Sequence, residues 1–412
     1  WVTTVKTSSP FTAVAGEGYF VNTTGGAITV NLPAGTAGDV VAIKDYAKTF
    51  DTNAVTLVQN GSDKIGGSTV NATLTTEGIA VTLVFIDSTQ GWLVTDSGLQ
   101  DEAPTSKYVT ATGGTITCSG DYRIHTFTGP GALCVSCAGN PAGSALVDYL
   151  VVGGGGGGGS AAPGNTGAAG GAGGFRESPG TASGSYTVSP LGVSPAVALS
   201  VSVQPYTIQI GGGGPGGPSD SAKGVNGGLS SFSTITSAGG GGGGSNGNRA
   251  GSPGGSGGGG AGGSYNQPGG SGNTPSVSPA QGTNGGNSSP GPSGSDGGSG
   301  GGGGAIEAGV FGTPSPATSG RGGAGTTTSI NGSSLAFAGG GGGGSYPSTT
   351  PGSGSPCGTG GAGGNPALGP LSNSVAGTIN RGGGGGGAGG DPSGATGIGA
   401  NGGSGIVIVR YK

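Results

Sequence analysis

Charge is nearly absent from this chain. Lys, Arg, Asp and Glu together make up 7% of 412 residues, and the net charge is −4. So few cations leave no electrostatic footprint for nucleic acid. Long apolar runs are missing as well, which excludes a membrane-spanning helix and membrane insertion. The chain holds one histidine, His125. A lone histidine offers no Ser-His-Asp or Cys-His arrangement, and the carboxylates are too few and scattered for an acid/base pair. No catalytic residue and no enzymatic activity are expected. The four cysteines are Cys118, Cys134, Cys137 and Cys357. Cys134 and Cys137 form a lone CxxC, and zinc would need a second pair or histidines at ligand spacing. No metal and no cofactor are expected. A disulfide from Cys118 to Cys134 or Cys137 and a set of free thiols stand as alternatives. Methionine is absent and the chain begins at Trp1. No basic-plus-apolar leader is visible, which says little about localisation in such a chain.

What the sequence has instead is glycine, 111 residues of it. Leu146–Val152, an apolar strand, runs straight into Gly153–Gly159. The pattern recurs: Tyr206–Ile210 leads into Gly211–Gly214, Phe232–Ala238 into Gly239–Gly244, and Leu335–Ala338 into Gly339–Gly344. Further nearly pure glycine and alanine runs occupy 170–174, 257–263, 300–304, 360–364 and 382–390. The chain closes on Ile406–Tyr411, a natural partner for 146–152. None of the runs continues into the Lys-Ser/Thr of a phosphate loop.

Glycine is unfavourable in a helix or an ordinary strand. Its accessible regular form has polyproline-II geometry, with about three residues per turn and no internal hydrogen bonds. Every N–H and C=O then needs a partner outside its own run. Bundling such runs side by side supplies those partners, and only glycine lets the axes approach closely enough. Runs of similar length predict a slab of constant thickness, about 20 Å for seven residues, with connections at both ends.

Residues 1–100 read as an all-β module of seven short strands, at 11–15, 19–22, 28–32, 40–44, 55–58, 79–86 and 92–95, separated by Gly, Asn and Pro turn signals. A sandwich or barrel-like arrangement follows from that spacing. Residues 101–107 read as a linker. Residues 108–152 read as a second β module, and 153–412 as a glycine-rich domain closed by the strand at 405–411. Ala15–Val21, Ile28–Pro33, Gly38–Tyr46 and Gly91–Thr95 resemble a module common in structural proteins of tailed phages, marine ones especially. That resemblance implies a building block of fibres.

The stretch opening with Asp148–Gly153 and closing with Gly403–Tyr411, with internal matches at Gly170–Arg176 and Ser233–Gly239, resembles a glycine-rich domain widespread in phage sequences. By run architecture it is also similar to the tip adhesins of T-even-like phages, whose polyglycine-II bundles present receptor-binding loops. Those adhesins lack the interleaved apolar strands seen here. The expected fold is therefore all-β, with sandwich-like fibre modules followed by bundled polyglycine-II helices and short strands. The resemblances imply a virion-surface fibre protein, a homo-oligomer with a trimer favoured, assembled with other virion proteins and facing a host polysaccharide or outer-membrane protein.

Binding function concentrates on loops held by a rigid scaffold. The connections at 264–297, 305–320 and 345–357 carry Tyr265, Asn266, Gln267, Phe311 and Tyr346, rigid aromatics beside small polar groups. These five are the candidate receptor-binding residues, expected to cluster at one end of the slab, away from residues 1–100. Capping of the bundle ends is the plainer role for any one of them. Two other functions stay open: a purely structural virion or filament subunit, and an ice- or surface-binding protein, although no regular threonine ladder is present.

Overall fold

A computed structural model of the chain describes residues 1–96, 106–184, 186–219, 221–291, 297–314, 317–347, 349–366, 374–390 and 397–412. The described residues hold strands and no α-helix, so the all-β expectation holds. They divide into two compact units, Trp1–Tyr108 with Ala138–Ala145, and Val109–Cys137 with Leu146–Lys412.

The first unit contains β1 (Val2–Lys6), β2 (Phe11–Thr12), β3 (Glu17–Val21), β4 (Ile28–Asn31), β5 (Val40–Asp45), β6 (Val55–Val58), β7 (Ala72–Leu74), β8 (Ala80–Phe85) and β9 (Trp92–Val94). β1 and β7 went unread in the sequence. The sheets run β1-β3-β5-β8-β9 and β2-β4-β6-β7. Successive strands from β1 to β6 alternate between the sheets, and β1 to β4 each pair in parallel with the strand two ahead. The chain thus winds as a flattened coil before β7, β8 and β9 close it antiparallel. Alternating strands such as Ile28-Thr29-Val30 put one face inward, and the faces of both sheets share a core that includes Tyr19, Val30, Ile43, Leu57, Leu74, Leu83 and Trp92. Residues 101–105 of the expected linker lie outside the described residues. Ser106 and Lys107 hydrogen-bond the 138–145 segment at Ala142 and Asn140.

The second unit begins with β10 (Val109–Thr112), β11 (Thr115–Ser119), β12 (Tyr122–Phe127), β13 (Gly131–Ala138) and β14 (Leu146–Val152). It continues with β15 (Phe175–Glu177), β16 (Leu199–Ser200), β17 (Pro205–Gln209), β18 (Ser230–Phe232), β19 (Ile235–Ser237), β20 (Thr313–Pro314), β21 (Ala317–Thr318), β22 (Thr326–Thr328), β23 (Leu335–Phe337) and β24 (Ile406–Tyr411). β14 and β24 pair antiparallel from Asp148↔Arg410 to Val152↔Ile406, the closure read from the sequence. They lie inside the order β11-β12-β24-β14-β15; a second sheet runs β10-β13-β17-β18-β19. The strands of 109–152 therefore share both sheets with strands from the glycine-rich half.

Both faces of the β14–β24 pair are covered, which explains their continuous apolar runs. Val147, Tyr149, Val151, Val407 and Val409 pack towards Leu133, Ile208 and Phe232. Leu150, Val152, Ile406 and Ile408 pack towards Phe175, Ile330 and Phe337. His125 is buried with its Nδ1 at 2.7 Å from the Gly113 carbonyl and its Nε2 at 2.8 Å from the Tyr411 hydroxyl, a structural role. All four cysteines are free thiols; Cys118 lies on β11, while Cys134 and Cys137 lie on β13 in the other sheet.

From β14 the chain passes into Gly153–Gly159, and its hydrogen bonding changes character. Gly153, Gly156 and Gly159 donate to the run 167–174, at Gly174, Gly171 and Ala168. Gly154 and Gly157 donate to the run 224–228, and Gly155 and Gly158 to the run 397–405. The carbonyls of Gly154 to Gly159 accept from three other runs: 239–244 through Gly240 and Gly243, 211–217 through Gly214 and Gly217, and 382–390 through Gly385 and Ala388. These bonds measure 2.8–3.0 Å. The partner advances with a period of three, whereas a β-strand alternates with a period of two. The run 167–174 behaves alike: it donates to 382–390, 239–244 and 298–304, and accepts from 153–159, 256–262 and 339–344. No glycine from 153 to 159 takes a positive φ. A Cβ at any of these seven would lie well under 3.0 Å from a neighbouring carbonyl oxygen. Ala168, Ala169, Ala172 and Ala388 are buried in the same lattice, so a methyl is accepted only where the packing leaves room.

A candidate recognition rim at the loop end of the glycine slab

The register of the runs fixes which connections share an end. Run 153–159 pairs antiparallel with 167–174 (Gly153 with Gly174, Gly159 with Ala168) and parallel with 239–244 (Gly154 with Gly240, Gly157 with Gly243). The chain crosses the slab, turns, and crosses back repeatedly. One end receives β14 to β19 and β22 to β24. The other receives the connections at 160–166, 245–250 and 263–267, with the described parts of those at 289–297, 313–319 and 345–351.

Side-chain bonds tie this loop end together. Arg249 Nη2 donates to Asn165 Oδ1 at 2.9 Å and to Asn246 Oδ1 at 2.7 Å. The Thr166 hydroxyl donates to the Gly297 carbonyl at 3.4 Å.

All five candidate residues fall on this end or beside it. Tyr265 and Asn266 are exposed and Gln267 half-buried in the turn after run 256–262, with Tyr265 68% exposed. The Gln267 N–H donates to Ser288 Oγ at 2.9 Å, and its carbonyl accepts the Ser288 N–H at 2.9 Å. One residue back, the Asn287 carbonyl accepts the Gly312 N–H at 3.0 Å, which places Phe311 next along the rim. Phe311 is 59% exposed. The hairpin β20–β21 follows it, and Ser319 donates to the Thr350 carbonyl at 2.9 Å. Thr349 leads back to Tyr346, whose N–H donates to Thr349 Oγ1 at 2.7 Å. Gln267, Phe311 and Tyr346 thus sit on neighbouring connections joined through Ser288 and Thr350.

The three long connections were misread in one respect. Each contains short runs that cross the slab, two in 264–297 and one in each of the others. Within 264–297, Gly285 donates to Gly270 and Gly286 to Gly301, and 273–281 turns at the strand end. Within 305–320, Gly309 and Gly312 donate to Asn284 and Asn287. Within 345–357, Gly352 and Ser355 donate to Gly343 and Gly340. These runs lie at the margin of the bundle, where part of each turn faces water and tolerates side chains. Three of them keep glycine at i and i+3, Gly269/Gly272, Gly282/Gly285 and Gly309/Gly312, as does the marginal run 224–228 with Gly224/Gly227. That spacing was the signal available.

Arg321 pairs with Glu307 at 2.7 Å and reaches one carbonyl, Gly322, at 3.1 Å. Arg381 stacks on the Phe337 ring at 4.8 Å. The pair holds the Glu307 carboxyl below its ordinary range, chiefly through the Arg321 hydrogen bond. Among the described residues no three His, Cys, Asp or Glu side chains converge as metal ligands.

Residues 135–412 match the glycine-rich domain family along their whole length. The chain belongs to the glycine-rich domain family. Its first unit has a separate match: residues 1–101 are similar to the N-terminal region of bacteriophage T4 gp9/10-like proteins. A curated relative is the baseplate wedge protein gp10 of Enterobacteria phage T4, 44% identical over 62 residues, which is 14% of this chain and 10% of that protein. These matches support a phage structural protein, of which the glycine-rich domain is the larger part.

Proposed function

We propose that this protein is a virion component whose glycine slab presents the rim of Tyr265, Asn266, Gln267, Phe311 and Tyr346 to the host surface. In this reading the runs are polyglycine-II helices, the slab is a rigid support, and its strand end is the anchored one. The observation that carries it is the segregation of the two ends: β14 to β19 and β22 to β24 gather at one, and joined connections bearing exposed aromatics and amides gather at the other. Stacking of an exposed ring on a sugar or protein partner contributes about 1 kcal/mol. The first unit, through its likeness to gp9/10-like proteins, is the part that assembles with other virion proteins, in a homotrimer and without catalysis or cofactor. The protein acts at the virion surface.

The test is to replace 263–267, 313–319 and 345–351 with glycine-serine linkers of equal length, to change the exposed Phe311 to Ser in a run otherwise left intact, and to measure adsorption to host cells. Adsorption should fall sharply while the slab stays folded. Unchanged adsorption by the folded variant favours the second reading, a baseplate-type structural subunit without a receptor, which the similarity to a wedge protein supports.

A further inference from the structure

The strand end of the slab carries a cleft of about 630 Å³, a size typical of ligand and peptide sites. One wall is the outer edge of β19, the last strand of its sheet. Phe232↔Ile235 closes the β18–β19 hairpin over Ser233-Thr234, so Thr236, opposite Ser231, turns its N–H and C=O away from β18. The facing wall is formed by Thr274, Pro275 and Val277 of the 273–281 turn, and Pro253 and Leu229 complete the apolar lining.

The amides in the cleft are already engaged. Gln281 Oε1 accepts the Ala238 N–H at 2.8 Å, and its Nε2 donates to the Pro275 carbonyl at 2.8 Å. Asn226 Oδ1 accepts the Gly242 N–H at 2.8 Å, and its Nδ2 donates to the Pro253 carbonyl at 3.2 Å. Arg176, on β15, is the one charged side chain of the lining. It makes a single long bond, Nη1 to the Thr236 carbonyl at 3.5 Å, and no carboxylate of the described residues pairs with it. Leu229 is 42% exposed beside it.

We propose that this cleft docks an extended segment of a partner protein that carries an acidic side chain next to an aliphatic one. The segment runs along β19 and takes up the outward N–H of Thr236, since strand edges bind extended chains through the backbone and read them through side-chain pockets. Its carboxylate pairs with Arg176, whose planar guanidinium favours a two-point contact. Its aliphatic side chain covers Leu229 and Val277. The site lies at the opposite end from the recognition rim and stands whether or not that rim binds a host.

The probe is the acetylated, amidated pentapeptide Thr-Val-Asp-Val-Thr, titrated into the full-length protein by calorimetry. Its Asn analogue and octanoate are run alongside. The Asp peptide should bind about tenfold or more tightly than the Asn analogue. Arg176→Gln should abolish that discrimination, and Leu229→Asn, an exposed position, should weaken both peptides equally. Thermal unfolding of both variants checks that the fold is retained. Equal binding of the Asp and Asn peptides, insensitivity to Arg176→Gln, or no binding at all would overturn the proposal. Octanoate binding as tightly as the Asp peptide would overturn it too, in favour of a small amphiphile.

Discussion

The two units are ordered by opposite means. In the first, side chains make the core: Val30, Ile43, Leu57, Leu74, Leu83 and Trp92 are buried between two sheets, and the backbone serves as their frame. In the slab, the backbone makes the core. Run 167–174 is enclosed by six other runs with its donors and acceptors engaged in turn, and its glycines bring no side chain to bury. A hydrophobic core loses stability when something is removed from it. A core of peptide groups loses stability when something is added. The comparison also explains the low charge and scarce aromatics of the second half: its lattice needs only small residues inside, and larger side chains appear at its strands, its margin and its loop end.

One added methyl should have the largest effect on the slab. Gly155→Ala and Gly170→Ala would each drive a Cβ into a backbone carbonyl, of Gly383 and Gly156 respectively. A peptide group fixed on several sides cannot move aside, so each should cost more than about 4 kcal/mol, beyond the ordinary range for one substitution. Gly212→Ala, on the slab surface, meets nothing within 4 Å and should stay within about 0.5 kcal/mol of the parent. Denaturant unfolding measures all three. In the first unit removal does the damage: Leu57→Ala takes atoms from a buried site and should cost about 2–5 kcal/mol, whereas an exposed glycine such as Gly25, also open to a Cβ, should tolerate alanine.

A smaller effect comes from His125, at the border between the sheets and the closing strand. Burial, the largest cause, lowers its pKa below the ordinary 6.5, and the hydrogen bond to Gly113 opposes this in part. The folded state therefore binds fewer protons than the unfolded chain as pH falls through 6.5. Its contribution is fully present above that pH and is lost progressively below it. Melting temperature measured against pH should decline below 6.5, and His125→Gln should flatten that decline. The Glu307–Arg321 pair should matter least. Its partners are 41% and 37% exposed, so Glu307→Gln should cost under about 1 kcal/mol; a larger loss would make the slab margin more than a solvated face.

Legibility in the sequence followed the same division. The pure runs announced the slab, because its interior takes glycine at most positions and a small side chain only where the packing leaves room, and the apolar β14 and β24 announced its closure. The marginal runs 224–228, 309–312, 352–355 and 375–378 stayed hidden. Each carries Val, Asn, Phe, Ser or Thr where the lattice faces water, so they read as loop. In the first unit the strands were visible as alternating segments, but their parallel winding was not, since alternation reports which face is buried and not which strand lies alongside. The candidate aromatics were visible as residues; their shared rim depended on crossings the sequence did not reveal.

Amide hydrogen exchange in the marginal runs reads the slab's hydrogen-bond lattice residue by residue. Gly224 and Gly227 donate to run 239–244, Val225 and Gly228 to run 211–217, and Asn226 to neither; Gly309 and Gly312 donate to one neighbour, Val310 to another, and Phe311 to neither. Threefold packing of the runs predicts a period of three: slow exchange at 224, 225, 227, 228, 309, 310 and 312, and fast exchange at Asn226 and Phe311. Protection alternating with a period of two, as at the edge of a β-sheet, would contradict it.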